Sequence, residues 1–280
     1  MPWRRGSPGS PSRVNEALAE VTLDGGRVVM VKRGDGDRAA RSEATGLRWL
    51  ADAGAVRIPT VHGHDDRWLV TDRVPTGRPN PGAAERFGRD LAALHAAGAP
   101  AFGSPPPGGP EDAYIGLAPM RNATGADWPG WYAEHRVLPY LRRAVDDGTI
   151  RSAESVVVER VCERLPELAG PPEPPARLHG DLWNGNVLWG ADGHAWLIDP
   201  AAHGGHRETD LDVYKRQVPT WTSSWRATGS RLRWPTAGGA ASRCTSSSRS
   251  WCTPSSSAAA TRNRPSRRPR RPWADPSGER

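Results

Sequence analysis

Three oxygen-bearing side chains are spaced along the sequence so that they can meet at one site. Residues 179–186 read His-Gly-Asp-Leu-Trp-Asn-Gly-Asn, and Asp199 follows thirteen positions after Asn186. Between the last two, short apolar stretches flank a Gly-Ala-Asp-Gly segment at 190–193, which is typical of a β-hairpin. Since a hairpin brings its ends together, we expect Asn186 beside Asp199, with Asp181 one short loop earlier.

Such a set suits phosphoryl transfer from magnesium-bound ATP. A carboxylate such as Asp181 can orient and deprotonate an acceptor hydroxyl, while the oxygens of Asn186 and Asp199 are the hard ligands that Mg²⁺ prefers. The alternative is that Asp181 caps a turn and Asp199 ends a strand, which are ordinary structural roles. A chance His-Gly-Asp-x₄-Asn in a chain of this length is on the order of one in several hundred, which favours the functional interpretation.

Lys32 and Glu43 form a second candidate pair. Lys32 ends a valine-rich stretch that predicts a strand, and Glu43 lies eleven positions later, near the start of a predicted helix. In kinase-like folds, a lysine at such a place contacts the α- and β-phosphates and is positioned by a helix glutamate. Taken alone, a strand-end lysine is more often a solvated charge, so this interpretation depends on the Asp181 set.

The secondary structure around these residues is predicted from apolar periodicity. Residues 18–33 read as two strands around a Gly-Gly turn, and 68–70 as a strand before the Pro-Thr-Gly-Arg-Pro break at 75–79, a candidate hinge. A helix that Gly54 ends is expected to place Ala44, Leu47, Leu50 and Ala51 on one face. Further helices are expected at about 83–97, 130–146 and 152–168, with a Pro/Gly-rich loop at 99–110.

Charge is divided unevenly along the chain. The whole chain carries +7, but residues 218–280 hold 12 arginines, no lysine and two acidic residues, so residues 1–217 are mildly acidic. The same segment has 13 serines and only two residues of the Val, Ile, Leu, Met and Phe types. Because it cannot bury enough apolar surface to offset its chain entropy, we expect it to be disordered. The high isoelectric point therefore does not by itself indicate a nucleic-acid binder.

Simple features argue against several other classes. The sequence has no run of 18 apolar residues, which a membrane span would need. It also has no apolar segment near its start of the kind found in a secretory signal. The three cysteines are unpatterned, which argues against a disulfide framework or a zinc site and favours a reducing cytoplasm. We expect a cytoplasmic monomer without a membrane partner or a specific nucleic-acid partner.

Several motifs occur together as one known family combines them. They are His-Gly-Asp-Leu-Trp-x-Gly-Asn at 179–186, Ile-Asp-Pro-Ala at 198–201, Gly-His-Arg-Glu-x-Asp-Leu at 205–211, Tyr-Ile-Gly at 114–116, Asn122, and Ala-Glu-His-Arg-Val-Leu-Pro at 133–139. From about residue 13 to 211, the chain resembles the fructosamine-3-kinase, or ketosamine kinase, family. Trp183 and the Gly-His-Arg-Glu segment distinguish it from aminoglycoside phosphotransferases, which share the fold.

The resemblance implies an α+β, two-lobed fold of the protein-kinase type. Residues 1–74 would form a small β-rich nucleotide-binding lobe, and residues 75–211 an incomplete, larger and mostly helical catalytic lobe. The implied activity is ATP-dependent phosphorylation of the sugar 3-hydroxyl of a fructosamine or ribulosamine on lysine or protein, which serves deglycation. ATP and Mg²⁺ are the implied cofactors.

Roles follow from the matching motif positions. Asp181 would be the catalytic base, Asn186 and Asp199 the magnesium ligands, Lys32 the phosphate contact and Glu43 its partner. Trp183, His203 and His206 are candidate substrate residues. His95 is expected to be a packed helix residue, and the Gly-Ser-Pro-Ser segment at 9–12 departs from the family's glycine loop.

Residues 212–280 are expected to be aberrant. Residues 212–217, Asp-Val-Tyr-Lys-Arg-Gln, are the translation of GAT-GTG-TAT-AAG-AGA-CAG, a transposon-end adapter common in sequencing libraries. We hypothesise that adapter sequence shifted the reading frame, because one shift of 219–228 and 244–261 permits apolar, helix-like sequences. The catalytic lobe would then lack helices that complete it in the family, and this particular chain would be inactive.

Two other functions stay open. An aminoglycoside- or choline-type phosphotransferase would share the fold and the core motif. A function of another class would be nucleic-acid binding through the arginine-rich run at 262–271, since basic runs make salt-dependent phosphate contacts.

Overall fold

The computed structural model describes residues 18–34, 38–116 and 118–215, all within one compact unit. The strands are β1 (Leu18–Thr22), β2 (Val28–Arg33), β3 (Val61–His64), β4 (Trp68–Asp72), β5 (Asp112–Ile115), β6 (Ala118–Arg121), β7 (Ala176–Leu178), β8 (Val187–Trp189), β9 (Ala195–Leu197) and β10 (His203–Gly205). The helices are α1 (Ala39–Asp52), α2 (Pro81–Ala96), α3 (Trp128–Tyr132), α4 (Leu138–Asp146), α5 (Ser152–Leu168) and α6 (Glu208–Lys215). A π-helical turn covers Ala133–Val137, and a 3₁₀ turn covers Asn184–Asn186.

The N-terminal region is an antiparallel sheet with strand order β1-β2-β4-β3, covered by α1. The predicted pair of strands at 18–33 is present, and Lys32 of β2 lies between Leu18 and Leu69. The apolar face of α1 packs on the sheet, where Ala44 and Leu47 meet Leu69. This packing places the start of α1, and with it Glu43, over the end of β2.

The break at 75–79 rests against the turn of the second hairpin, β8–β9. The Gly77 N–H donates to the Trp189 carbonyl at 2.7 Å, and the Ala191 N–H donates to the Pro75 carbonyl at 2.8 Å. Helix α2 begins soon after, because the Asn80 side chain accepts from the Ala83 N–H at 2.9 Å and Pro81 occupies the first helical position. The linker is therefore fixed at both ends by hydrogen bonds.

One apolar core joins α1, α2 and the β8–β9 hairpin. Leu50 of α1, Leu91 of α2 and Leu197 of β9 are fully buried in it. Leu182, which directly follows Asp181, belongs to the same core. The loop that carries Asp181 is thus held by packing on one side.

The region 112–168 differs from the sequence prediction in two respects. The helix expected at 130–146 is interrupted by the π-helical turn, which divides it into α3 and α4. The β5–β6 hairpin was not predicted, because Gly116 and Pro119 break its apolar alternation. Helix α5 has the predicted bounds.

Some expectations concern residues outside the described ranges. These are the weak glycine-loop segment at 9–12 and the disorder expected for 218–280. Within the described residues, no helix combines the length and apolarity that crossing a membrane requires.

We predict that Leu197→Ala lowers the free energy of unfolding by about 2–5 kcal/mol, because it opens a cavity in the shared core. Leu168→Ala is the matched control, since Leu168 of α5 is 56% exposed and should change stability by only about 0.5 kcal/mol. Urea denaturation of both variants measures the difference. Equal losses would contradict the assignment of the core to the β8–β9 hairpin.

Candidate active site

The β8–β9 hairpin brings Asp181, Asn186 and Asp199 together. The Asn186 amide nitrogen, Nδ2, donates to the Asp181 carbonyl at 2.8 Å and to Asp181 Oδ2 at 3.2 Å. The same nitrogen lies 3.4 Å from the Asp199 carbonyl oxygen. The three side chains therefore meet at the open end of the hairpin, as the spacing along the sequence predicts.

Lys32 connects this cluster to the N-terminal sheet. Its Nζ lies 2.9 Å from Glu43 Oε2 and 3.0 Å from Asp199 Oδ1. One ammonium thus bridges a carboxylate of α1 and a carboxylate that follows β9. The pair that the sequence analysis proposed from strand and helix spacing is formed, and it includes Asp199.

The two groups of this pair respond to burial in different ways. Burial raises the pKa of the Glu43 carboxyl to about 7, against the opposing attraction of Lys32, and Asp199 adds repulsion. Burial alone would lower the pKa of Lys32, but the two carboxylates outweigh it and leave that pKa raised. Lys32 therefore stays a cation, while Glu43 titrates near neutral pH.

Asp181 is set apart electrostatically from an ordinary surface aspartate. Burial raises the pKa of its carboxyl, and nearby Asp199 and Asp210 push it the same way, while His179 and the Asn186 hydrogen bond oppose the shift. A raised pKa makes the carboxylate a better proton acceptor near neutral pH.

A fourth carboxylate, Asp210, holds the loop that carries Asp181. Asp210 is buried and accepts hydrogen bonds from the backbone N–H groups of His179 and Gly180, both at 2.9 Å. The ring nitrogen Nε2 of His95 in α2 lies 3.0 Å from its Oδ2. Burial favours the protonated form, but the hydrogen bond to His95 and the other donors outweigh it and keep the pKa of Asp210 below its ordinary range.

Sequence reasoning did not assign a role to Asp210. Asp210 lies in the Gly-His-Arg-Glu-x-Asp-Leu motif, but the motif alone does not predict which groups it contacts. His95 is packed in α2, as expected, and it also lies against Asp210. The signal that could have found this contact is a histidine on the apolar face of α2, where a buried polar group needs a partner.

Backbone geometry at the site is specialised at two positions. Gly180 has φ +83°, and a Cβ there would lie 2.0 Å from the Ala201 carbonyl oxygen, so only glycine fits between His179 and Asp181. Asp199 has φ +53°, which is uncommon for a residue with a side chain. Strained backbone of this kind clusters at functional sites.

Two cavities meet at Lys32, Glu43 and Asp199, which line both of them. The first, of about 460 Å³, also reaches Asp181 and Asn186 together with Tyr114, Gly116 and Trp183. The second, of about 500 Å³, is lined by apolar residues of both the sheet and the hairpin region, among them Met30, Leu69, Leu188 and Ile198, and by polar and charged ones, among them Arg33, Thr71, Asp72 and Arg73. Lys32, Glu43 and Asp199 are therefore the shared boundary of the two cavities.

Trp183 lies at the first cavity with its indole over Gly185. A Cβ on Gly185 would lie 2.3 Å from the Trp183 ring, so the absence of a side chain there makes room for it. Although its ring packs over Gly185, Trp183 is 44% exposed, which is unusual for a tryptophan.

The structure does not bring His203 and His206 to this cavity. Both are buried, and neither is among the described residues that line it. His203 Nδ1 lies 2.9 Å from the Ala201 carbonyl oxygen, and burial lowers its pKa to about 4. The His206 ring lies 4.8 Å from that of Trp128. After Asp199 the chain continues into strand β10, which pairs with β7. His203 and His206 are therefore near Asp199 in the sequence but do not line the cavity.

We predict that Glu43→Gln changes the pH dependence of stability. With a folded-state pKa near 7 and an ordinary value of 4.5, Glu43 keeps its proton in the folded state while the unfolded chain loses it, so stability falls as pH rises from about 4.5 through 7. Wild type and variant should be similar at pH 5, and the variant more stable by about 1–3 kcal/mol at pH 8.

Thermal or urea unfolding at the two pH values measures this difference. The control is Glu85→Gln, the same substitution at an exposed residue of α2 that pairs with Arg89, and it should change stability by only about 0.5 kcal/mol. A stability difference for Glu43→Gln that stays constant between pH 5 and 8 would show that Glu43 is ionised throughout.

Comparison with known proteins gives the evolutionary context of this site. A model of the fructosamine kinase family matches residues 13–243, which extends beyond the limit at 211 expected from the motifs. The chain is 35% identical over 175 residues to a candidate ketoamine kinase of Thermus thermophilus, covering 62% of this chain and 60% of that protein. It is 28% identical over 208 residues to the chloroplastic protein-ribulosamine 3-kinase of Arabidopsis thaliana, covering 71% and 62%. The chain thus spans about 60% of the length of these curated relatives.

Among solved structures, the chain is similar to a candidate fructosamine-3-kinase from Thermobifida fusca. The two are 43% identical with a TM-score of 0.70, over 79% of this chain and 80% of that one. This confirms the predicted α+β, two-lobed fold of the protein-kinase type. Because the family model matches well over half of the chain, the protein belongs to the fructosamine kinase family.

Proposed function

We propose that the protein is an ATP-dependent kinase that phosphorylates the sugar 3-hydroxyl of a ketosamine, a fructosamine or ribulosamine on lysine or protein. The observation that carries this proposal is that Lys32 and Asp199 line both cavities, while Asp181 and Asn186 line the first. A phosphoryl donor and a hydroxyl acceptor need such a shared boundary. The names of the matched relatives supply the acceptor class.

The second cavity suits the nucleotide, and the first, which reaches Asp181 and Trp183, is the candidate acceptor cavity. The walls of the second cavity, including Met30 of the sheet and Leu188 and Ile198 of the hairpin region, can enclose a planar base from both sides. Lys32 lines it and, held by Glu43, can neutralise phosphate charge. The N-terminal region would then serve as the nucleotide-binding lobe, with the hinge near residue 75.

The donor set at the boundary fits magnesium. Asn186 uses its amide nitrogen toward Asp181 and Asp199, which leaves its amide oxygen as a ligand, and Asp199 adds carboxylate oxygens. Bound there, the ion would offset the negative charge of the transferring phosphate. Asn186 and Asp199 would hold it, while Lys32 holds Asp199 in place.

Asp181 would accept the proton of the acceptor hydroxyl. As the hydroxyl oxygen forms its bond to the γ-phosphorus, the bond from phosphorus to the ADP oxygen breaks and the hydroxyl proton passes to the Asp181 carboxylate. The hydrogen bonds that the His179 and Gly180 N–H groups donate to Asp210 keep the Asp181 loop in place during this step. The exposed indole of Trp183 offers an apolar face beside Asp181 on which a sugar ring can lie.

We predict that Asp181→Asn lowers the rate of ketosamine phosphorylation by about 10²–10⁴-fold, since it removes the proton acceptor. Asp66→Asn, at an exposed position in the turn between β3 and β4, is the control and should keep full activity. The assay is ³¹P NMR of ATP with fructosyl-lysine or ribulosyl-lysine. Nucleotide binding, measured by calorimetry, should survive in both variants.

A substrate panel separates the proposal from the other open functions. Preference for an aminoglycoside or choline over both ketosamines would overturn the acceptor assignment while keeping the phosphotransferase. Absence of transfer from a folded protein that binds ATP would overturn the activity itself. Binding of RNA or DNA that depends on residues 262–271, with no transfer, would support the nucleic-acid alternative instead.

We also propose that residues 212–280 are the product of a shifted reading frame, supported by the adapter-like segment at 212–217. Sequencing of the source DNA across codons 205–225 tests this, and the adapter bases should be absent from it. The kinase assay is therefore made on this chain and on the protein encoded by the DNA so determined. Adapter bases present in source DNA would contradict the hypothesis.

A further inference from the structure

Three side chains from the region α3 to α4 bind one edge of the β5–β6 hairpin. The Trp131 indole Nε1–H donates to the Ala123 carbonyl at 2.6 Å, Arg136 Nη1 donates to the Arg121 carbonyl at 2.8 Å, and the Tyr140 hydroxyl donates to the Pro119 carbonyl at 2.8 Å. These carbonyls belong to residues 119, 121 and 123. In extended backbone, alternate carbonyls point to the same side, so the three donors take the place of a third strand.

The π-helical turn is what aligns two of these donors. Trp131 and Arg136 are five residues apart, which on a regular α-helix would separate them by about 140° around the axis. The Leu138 N–H instead bonds to the Ala133 carbonyl, five residues earlier, which is the π-helical pattern. As a result, the Arg136 guanidinium lies 4.5 Å from the centre of the Trp131 ring. π-Helical turns are rare and are frequently found at functional sites.

Burying the Arg136 guanidinium costs free energy, more than a purely structural contact would require. Burial lowers its pKa to about 10, and among the described residues no carboxylate forms an ion pair with it. Its partners are neutral: the Arg121 carbonyl and the Asn122 side-chain oxygen, the latter at 3.0 Å from Nη2. The planar guanidinium reaches the two acceptors with two different nitrogens, whereas a lysine ammonium has a single nitrogen from which to reach both.

The hairpin held in this way forms a wall of the candidate acceptor cavity. Tyr114 and Gly116, at its turn end, line that cavity together with Asp181 and Trp183. At its base, the Asn122 N–H donates to the Glu111 carbonyl at 2.8 Å, and Asn122 is the residue that Arg136 binds. The hairpin also packs on Ala201, close to Asp199. A shift of the hairpin would therefore move Tyr114 relative to Asp181.

We infer that Trp131, Arg136 and Tyr140 form a ladder that fixes the β5–β6 hairpin at the distance from Asp181 that the acceptor requires. Arg136 is thus a positioning residue for the acceptor and not for the nucleotide. This inference rests on the proposed function for its kinetic readout. Its structural readout does not, because hairpin mobility can be measured without substrate.

The test compares Arg136→Lys, which keeps the charge but not the two-acceptor geometry, with Tyr140→Phe, which removes one donor, and with Arg142→Lys, an exposed control on α4. Arg136→Lys should raise the KM for the ketosamine about tenfold, as expected for the loss of one good hydrogen bond. The KM for ATP should change by less than about twofold, within the range of ordinary surface substitutions. Tyr140→Phe should act in the same direction, and Arg142→Lys should match wild type.

Amide hydrogen exchange of residues 112–122 is measured on the same proteins. Exchange there should be faster in Arg136→Lys and in Tyr140→Phe, with exchange of α2 unchanged. If wild type transfers no phosphate to ketosamines, the proposed function fails and the exchange data alone decide on the ladder. Unchanged exchange in both variants, or an equal rise in KM for ATP and ketosamine, would overturn the inference. Where Arg136→Lys does not fold, Tyr140→Phe decides by the same two readouts.

Discussion

Asp210 places a negative charge where water does not reach it, and the arrangement of the site follows from how that charge is compensated. A buried carboxylate is tolerated only with hydrogen-bond donors around it, and here they are His95 and the backbone N–H groups of His179 and Gly180. Three segments far apart in sequence must therefore converge on one point. Asp181 directly follows Gly180 in the sequence, so the hydrogen bonds to Asp210 also fix its position.

A second charge-sharing contact joins the sheet region to the hairpin region. Lys32 serves Glu43 and Asp199 at once, and the repulsion between these two carboxylates contributes to the raised pKa of Glu43. Such an arrangement is suited to a ligand that brings its own charges, because phosphate and metal can take over the contacts of Lys32 and Asp199. The contact between Lys32, Glu43 and Asp199 thus joins the two regions when no ligand is bound, and a bound nucleotide would replace part of it.

The parts of the site that depend on local sequence could be predicted. A hairpin turn at 190–193 sets Asn186 beside Asp199 whatever the rest of the fold does, and a helix after a strand sets Glu43 near Lys32. The role of Asp210 could not be predicted, because its partners lie about thirty and more than a hundred residues away. The π-helical turn was missed because the change from an i−4 to an i−5 hydrogen bond is made by the backbone, and the residue types at 133–137 do not mark it. His203 and His206 were proposed as substrate residues because they follow Asp199 closely in the sequence. Strand β10 pairs with β7, and neither histidine lines the cavity.

Two cavities share the charged boundary formed by Lys32, Glu43 and Asp199, and we propose that the nucleotide binds in the second cavity and the sugar in the first, beside Asp181 and Trp183. A crystal structure of the protein with a non-hydrolysable ATP analogue, magnesium and a ketosamine tests this most directly. We expect the base against Met30 and Ile198, and the sugar 3-hydroxyl within hydrogen-bond distance of Asp181. A sugar bound elsewhere, or one whose 3-hydroxyl points away from Asp181 toward solvent, would contradict the account.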